Sequence, residues 1–199
     1  VRAAAAAGRA LLDRGGTALD AVVAAVRVLE DDPEFGAGIG SALTRDGTVE
    51  TCASVMDGTK RRAGAVAAVP DLGAPVIVAR AVLEVAEHVI LAGPAATRYA
   101  AEIGMTPAAP GALVTQRAMQ QLRDAQAAHP AKQTLPGGEG GGVGAVARDR
   151  NGGLAAATST GGTVYRRAGC VDDSSVPGAG TWADSEVAVS TSGGESLFR

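Results

Sequence analysis

Hydroxyl side chains gather in two short runs of this chain, Thr158-Ser159-Thr160-Gly161-Gly162-Thr163 and Ser190-Thr191-Ser192-Gly193-Gly194-Glu195. A serine or threonine becomes a nucleophile only when a neighbouring group takes its proton. The two histidines are poorly placed for that task. His88 lies in an apolar stretch, where a packed side chain is expected, and His129 lies in a loop; neither has the nearby Ser or Cys partner that a triad needs. Hydroxyls also crowd turns for a non-catalytic reason, because they bond adjacent backbone. Cys52 and Cys170 lack metal-type spacing and are too few for a disulfide framework, which fits a reduced cytoplasm.

At 199 residues the chain is long enough for one domain burying roughly 70% of its unfolded surface. Glycine is about twice its usual ~7% share. Aromatics are only 3%, so packing must rest on Ala, Val and Leu with close backbone approaches. A net charge of −3 without a basic block leaves no footprint for nucleic acid or an anionic membrane, and points to a small-molecule partner. No apolar run approaches the roughly 20 residues of a membrane span, and Val1 to Ala7 does not read as a leader. An opening without Met and a close at Leu197-Phe198-Arg199, within a strand-rich segment, read as a fragment.

The elements that must position these hydroxyls follow from periodicity and punctuation. Gly15-Gly16-Thr17 separates two helices, and Thr17 with Asp20 forms a capping-box signal. Leu19, Val22, Val23, Val26 and Leu29 then repeat as one buried helical face, ended by Asp31-Asp32-Pro33. Extended runs at 41–45 and 48–56 are joined by Asp46-Gly47, the dipeptide of a type I′ hairpin. A buried strand is expected over 63–69, a helix over 74–85, a short strand over 88–91, a helix over 94–103 with Pro94 in its first turn, and another over 115–127. The Pro- and Gly-rich stretch 130–142 reads as an exposed mobile loop. Strands over 143–148 and 154–158, with a turn over 149–153, make a second hairpin. Strand and helix blocks without a regular βαβ repeat suggest a mixed sheet sandwich with outer helices.

Several separated segments, spread from Ala10 to Arg199, carry a family likeness. Gly141-Gly142-Val143-Gly144-Ala145-Val146-Ala147-Arg148-Asp149 and Leu154 to Gly162 resemble the core of the plant-type L-asparaginase and isoaspartyl peptidase family of N-terminal-nucleophile hydrolases. Val55-Met56-Asp57-Gly58, Ala63-Gly64-Ala65-Val66 and Gly178 to Asp184 resemble its architectural segments. The likeness implies an α/β fold, an αββα sandwich of the N-terminal-nucleophile hydrolase type, here incomplete. It implies a single domain over 1–199, with 1–141 resembling the α subunit and 142–199 the start of the β subunit. In that family the protein cuts its own Gly-Thr bond, and the freed threonine supplies both the attacking hydroxyl and the base amine. Here the nucleophile position is Gly142, and no hydroxyl stands there.

The resemblance assigns further residues. Thr160 matches the threonine that hydrogen-bonds the nucleophile, and should face position 142 across neighbouring strands. Gly169-Cys170-Val171-Asp172-Asp173-Ser174 aligns with the segment that grips the α-carboxylate through arginine and the α-amine through aspartate. Asp173 matches the aspartate, Cys170 takes the arginine position, and Asp172 stands where Gly is usual. A thiol offers no cationic fork for a carboxylate. The oxyanion loop, Thr-Gly-x-Gly-Glu in the family, aligns in two ways. Counted forward, Ser192 and Gly193 take the Thr-Gly places; counted back from Glu195, Thr191 fits and Ser192 replaces Gly. The segment 29–40 resembles a loop whose carbonyls hold a structural sodium ion, which would make Leu29, Glu30, Asp32, Phe35, Ala37 and Ile39 its ligands, with Gly36 where the pattern has Asn. No other cofactor is implied.

In an intact relative the threonine attacks the side-chain amide of L-asparagine or a β-aspartyl peptide, its amine acting as base. An α-amine pKa of about 8 suits that role. The implied ligands are a small amino acid or dipeptide, and the implied assembly is a homodimer. Three readings stay open: a hydrolase family member inactive as written, a non-catalytic binding or oligomeric partner that keeps the fold, and a truncated or error-bearing fragment.

Overall fold

The computed structural model describes residues 1–85, 87–128 and 141–193. Helix α1 (Arg2–Asp13) leads through Gly15-Gly16 into α2 (Ala18–Glu30), whose first turn is closed by the expected capping box. Thr17 Oγ1 accepts the Asp20 N–H at 3.1 Å, and Asp20 Oδ2 accepts the Thr17 N–H at 3.0 Å. The predicted face of α2 is the one that is buried: Leu19, Val22, Val23, Val26 and Leu29 all lie in the core. Burial of each such side chain is worth about 1.5–3 kcal/mol, which is why this helix anchors the layer.

Five strands form the main sheet in the order β3-β2-β1-β5-β4: β1 (Glu50–Asp57), β2 (Arg62–Pro70), β3 (Ile90–Ala92), β4 (Gly142–Arg148) and β5 (Leu154–Thr160). Only β2 and β3 pair in parallel. Helices α3 (Pro75–Val85) and α4 (Gly93–Glu102) join α2 on one face, and α5 (Gln116–Ala128) packs through Ala118 and Leu122 near Leu43 and Val49. A second sheet of β6 (Thr181–Ala183) and β7 (Ala188–Ser190) covers the other face. Strand alternation sorts the side chains. Ala53, Val55, Val143, Ala155 and Ala157 meet the helices, whereas Met56 and Ala156 meet Ala183 of β6. The arrangement is a mixed α/β layer structure with helices on one side of a sheet and a small sheet on the other, as the sandwich reading requires. No helix among the described residues is long and apolar enough to cross a membrane.

Three expectations change. The Asp46-Gly47 hairpin is present, but residues 41–45 contribute isolated bridges, Leu43 to Val49 and Thr44 to Arg166, rather than a strand. Its turn is not type I′. Gly47 alone is left-handed (φ 76°), its N–H bonds Thr44 O, and Thr44 N–H bonds Thr48 O, the pattern of a type I turn followed by a left-handed residue. The strand expected over 88–91 lies at Ile90–Ala92, and His88 is exposed instead of packed, beside Arg98 and Tyr99 on the surface. His129 and most of the 130–142 loop lie outside the described residues.

Candidate functional site

Strands β4 and β5 pair antiparallel with Gly142 opposite Thr160 and Gly144 opposite Thr158. Because side chains alternate across a strand, Thr158 and Thr160 face the second sheet while Ser159 faces the helices. Thr158 Oγ1 donates to Gly180 O at 2.9 Å and lies 2.7 Å from Ser190 Oγ. Thr181 Oγ1 bonds Thr158 Oγ1, and Ser54 Oγ bonds Thr181 Oγ1, both at 2.6 Å. This buried run of hydroxyls joins β1, β5, β6 and β7 and fixes how far the second sheet stands from Thr160. The Thr160 hydroxyl accepts the Gly162 N–H at 2.9 Å, which leaves its own proton to donate elsewhere.

Opposite Thr160, the side-chain space of residue 142 is filled by Ser192. A Cβ at Gly142 would overlap Ser192 Oγ, stand 2.7 Å from Ser192 Cβ and 3.2 Å from Ser159 O. Two residues on, a Cβ at Gly144 would likewise overlap Ser190 Oγ. The end of β7 and the segment after it thus lie in the gap that two glycines of β4 leave open. Thr191 points away, its N–H bonded to Gly180 O at 2.9 Å and its Oγ1 to Ala179 O at 3.3 Å. Of the two ways of counting the oxyanion loop, the structure therefore brings Ser192 and Gly193, not Thr191, to Thr160. Gly194 and Glu195 lie outside the described residues.

Ser192 separates two spaces. On one side is an open cleft of about 460 Å³ lined by 142–146 and 188–192. On the other is a recess of about 20 Å³, where Thr160, Cys170, Asp172, Asp173, Ser192 and Gly193 converge with Arg166. The residues assigned from three separate segments thus share one wall. Arg166 is the member that sequence reasoning missed; it is buried, while its neighbour Arg167 is exposed, and nothing in their type separates the two. Its guanidinium does not reach into the recess as an unused charge. Nη1 donates to Gly161 O (2.6 Å), Thr163 O (3.3 Å) and Ala42 O (3.4 Å), and Nη2 to Glu50 O. The cation is thereby a strut under the Thr160-Gly161-Gly162 turn.

Asp172 is the group in the recess that this leaves least satisfied. Its Oδ1 is buried with no hydrogen-bond partner. Burial first, and the neighbouring Asp173 charge second, push its carboxyl up to about 6, with Arg166 pulling the other way. Behind it the buried Cys52 thiol is pushed up to about 11, mainly by burial, and Cys52 Sγ accepts the Ala68 N–H at 3.2 Å.

The segment after α2 abuts the same turn. Gly161 N–H bonds Gly36 O at 2.6 Å, and a Cβ on Gly36 would collide with the Gly141 carbonyl and stand 3.0 Å from its carbon. Glycine replaces the pattern's Asn at 36 in a position where the backbone before residue 142 leaves no room for a side chain. The loop's carbonyls turn inward: Cβ atoms on Gly38 and Gly40 would meet the carbonyls of Glu30 and of Phe35 and Pro33 respectively. Leu29, Asp32 and Ala37 carbonyls each accept one N–H, from Asp32, Phe35 and Gly40. Each carbonyl keeps a second lone pair, and such hard oxygens are donors of the type that hard cations take. Glu30 itself is fully buried. Its Oε1 accepts the Val76 N–H at 3.0 Å, and burial pushes its carboxyl up to about 8, outweighing the neighbouring donors, while Glu30 Oε2 and Ser159 Oγ are both buried with no hydrogen-bond partner.

The sequence model of the asparaginase family matches residues 1–199. The chain is 45% identical over 198 residues to the isoaspartyl peptidase/L-asparaginase of Rattus norvegicus, covering 98% of this chain and 60% of the relative. It is 46% identical over 199 residues to the protein of the same description from Homo sapiens (98% and 64%). To the isoaspartyl peptidase of Salmonella typhimurium it is 44% identical over 201 residues (96% and 63%). The chain belongs to the asparaginase family, and spans about three fifths of the length of these relatives.

Proposed function

We propose that the described cleft and recess form a hydrolase-type site for small β-aspartyl amides, L-asparagine or isoaspartyl dipeptides, in which residue 142 performs no chemistry. The carrying observation is the pairing of Gly142 with Thr160: the partner hydroxyl is in place, and the residue it would activate has no side chain. Neither self-cleavage before residue 142 nor attack from it can follow. Loss of a covalent nucleophile costs on the order of 10⁴–10⁶ in kcat. The carbonyls of Leu29, Glu30, Asp32, Phe35, Ala37 and Ile39 would hold a sodium ion that stiffens the loop under Gly36.

Charge in the recess supports weak holding of an α-carboxylate. Arg166 is engaged by backbone carbonyls, Cys170 supplies no cation, and Asp172 stands beside Asp173. The same observations favour the second reading, a binding module that keeps the fold, should turnover be absent. Mass spectrometry of the denatured chain, with calorimetric titration of L-asparagine and a β-aspartyl dipeptide, tests the proposal. A single intact chain and millimolar or weaker binding of asparagine are expected. Two fragments meeting before Gly142 would overturn the nucleophile assignment, and micromolar asparagine would overturn the account of the carboxylate clamp.

A further inference from the structure

Ser192 is the nearest group outside its own strand segment to the side-chain space of residue 142, with Oγ inside the volume that side chain would fill. It stands at the junction of the open cleft and the acidic recess, lining both. The cleft, about 460 Å³, has the size of sites that take small ligands. From it the serine is reached directly, since Ser192 is exposed. Behind it, Thr160 keeps a proton to donate, and Asp172 has a buried oxygen without a partner.

We propose that Ser192 is an acylatable hydroxyl in this chain, supplying from the neighbouring segment the nucleophile that position 142 lacks. The inference rests on the preceding reading only for the nature of the acyl group, not for the position of the hydroxyl. In the step itself, Ser192 Oγ attacks the carbonyl carbon of an ester or amide and its proton passes to the Asp172 carboxylate. The bond to the alkoxide or amine breaks, and that group leaves with the proton. Water then cleaves the resulting serine ester and returns the hydroxyl. A carboxylate whose affinity for protons is raised by burial suits such a relay better than an exposed one. Thr160 would donate to the oxygen that gains charge.

The probe is p-nitrophenyl acetate at limiting concentration with the intact chain, read by the burst of p-nitrophenolate and by peptide mapping of the acetyl group. The expected result is a stoichiometric burst with acetyl on Ser192, lost in Ser192→Ala. Ser192→Cys should keep the burst, and iodoacetamide should alkylate position 192 faster in the folded chain than after unfolding in urea, a rate excess that exposure alone would not produce. The burst rate should rise with pH through about 6, and Asp172→Asn should remove that rise. Acetyl on Thr160, Cys170 or Lys60 with none on Ser192, or a burst unchanged in Ser192→Ala, would overturn the inference. Circular dichroism of each variant establishes that it is folded before the burst is read. Titration of a β-aspartyl dipeptide separates the two claims: binding without acetylation at Ser192 defeats this inference alone, and acetylation without binding leaves it standing while the substrate reading falls.

Discussion

Restoring threonine at position 142 should meet Ser192 as a steric obstacle while that residue keeps its side chain, and the structure sets the size of the conflict. In Gly142→Thr the new Cβ would overlap Ser192 Oγ and sit 2.7 Å from Ser192 Cβ. Overpacking of this kind costs about 1–3 kcal/mol. Against it stands a gain of up to about 1 kcal/mol, because a β-branched residue suits a strand better than glycine. The single variant should therefore be neutral to about 3 kcal/mol less stable than the parent. Ser192→Gly alone should change stability by about 0.5 kcal/mol or less, since Ser192 is exposed and no ladder bond depends on its side chain. In the double variant the clash is gone and the strand gain remains. The cycle of four proteins should thus give a coupling of roughly 1–3 kcal/mol between sites 142 and 192. Urea unfolding, with the same m-value throughout, measures it. Mass spectrometry on the same four proteins should find cleavage before residue 142 faster in the double variant than in Gly142→Thr, because a hydroxyl facing Thr160 no longer has to displace a serine. A coupling below about 0.3 kcal/mol would mean that Ser192 does not occupy that space, and both this argument and the acylation inference would lose their geometric basis.

Three further outcomes follow from buried groups and tight contacts. Asp172, pushed up to about 6, binds a proton in the folded chain at pH values where the unfolded chain has released it. Its contribution to stability is therefore full below about pH 4 and lost as pH rises through 6. Asp172→Asn should make the urea midpoint fall less steeply over that window, leaving the decline from about pH 4.5 through 8 that Glu30, pushed up to about 8, contributes. Arg166→Met strips the donors from the carbonyls of Ala42, Gly161, Thr163 and Glu50 and should cost about 3 kcal/mol or more, with Arg166→Lys intermediate because a single ammonium cannot reproduce the fork; thermal unfolding reads both. Gly36→Asn, which restores the family pattern, should destabilise by about 1–3 kcal/mol, since its Cβ meets the Gly141 carbonyl, and an unchanged melting temperature would refute that contact.

What was legible in the sequence was legible for local reasons. Thr17 with Asp20 closes α2 because both partners lie within one turn, and the pairing of Gly142 with Thr160 follows from a hairpin whose short turn fixes the register. What was missed depends on chain segments far apart. Arg166 is buried because carbonyls from residues 42, 50, 161 and 163 converge on it, and no property of Arg166-Arg167 announces which of the two will be chosen. Asp46-Gly47 marked a turn correctly but not its type, because only Gly47 adopts the left-handed conformation. His88 looked packed from its apolar neighbours, yet Val89 and Ile90 beside it are themselves exposed, so the apolar run was not a core signal.

The departures from the family pattern at 36, 142 and 192 lie close together in the packing around the start of β4. Gly36 sits against the backbone of Gly141, which holds the start of β4 close to the turn that follows β5. With no side chain at 142, the segment after β7 closes the gap, and Ser192 comes to rest where a side chain at 142 would have stood. Glycine at 36 allows the close approach, glycine at 142 leaves the space open, and the side chain of Ser192, smaller than the threonine of the family pattern, stands in that space. A side chain added at 142 meets Ser192, and one added at 36 meets the backbone of Gly141. For that reason restoration of threonine chemistry should require changes at 142 and 192 together, and the ancestral residue at 36 should become acceptable only after the backbone before 142 has moved.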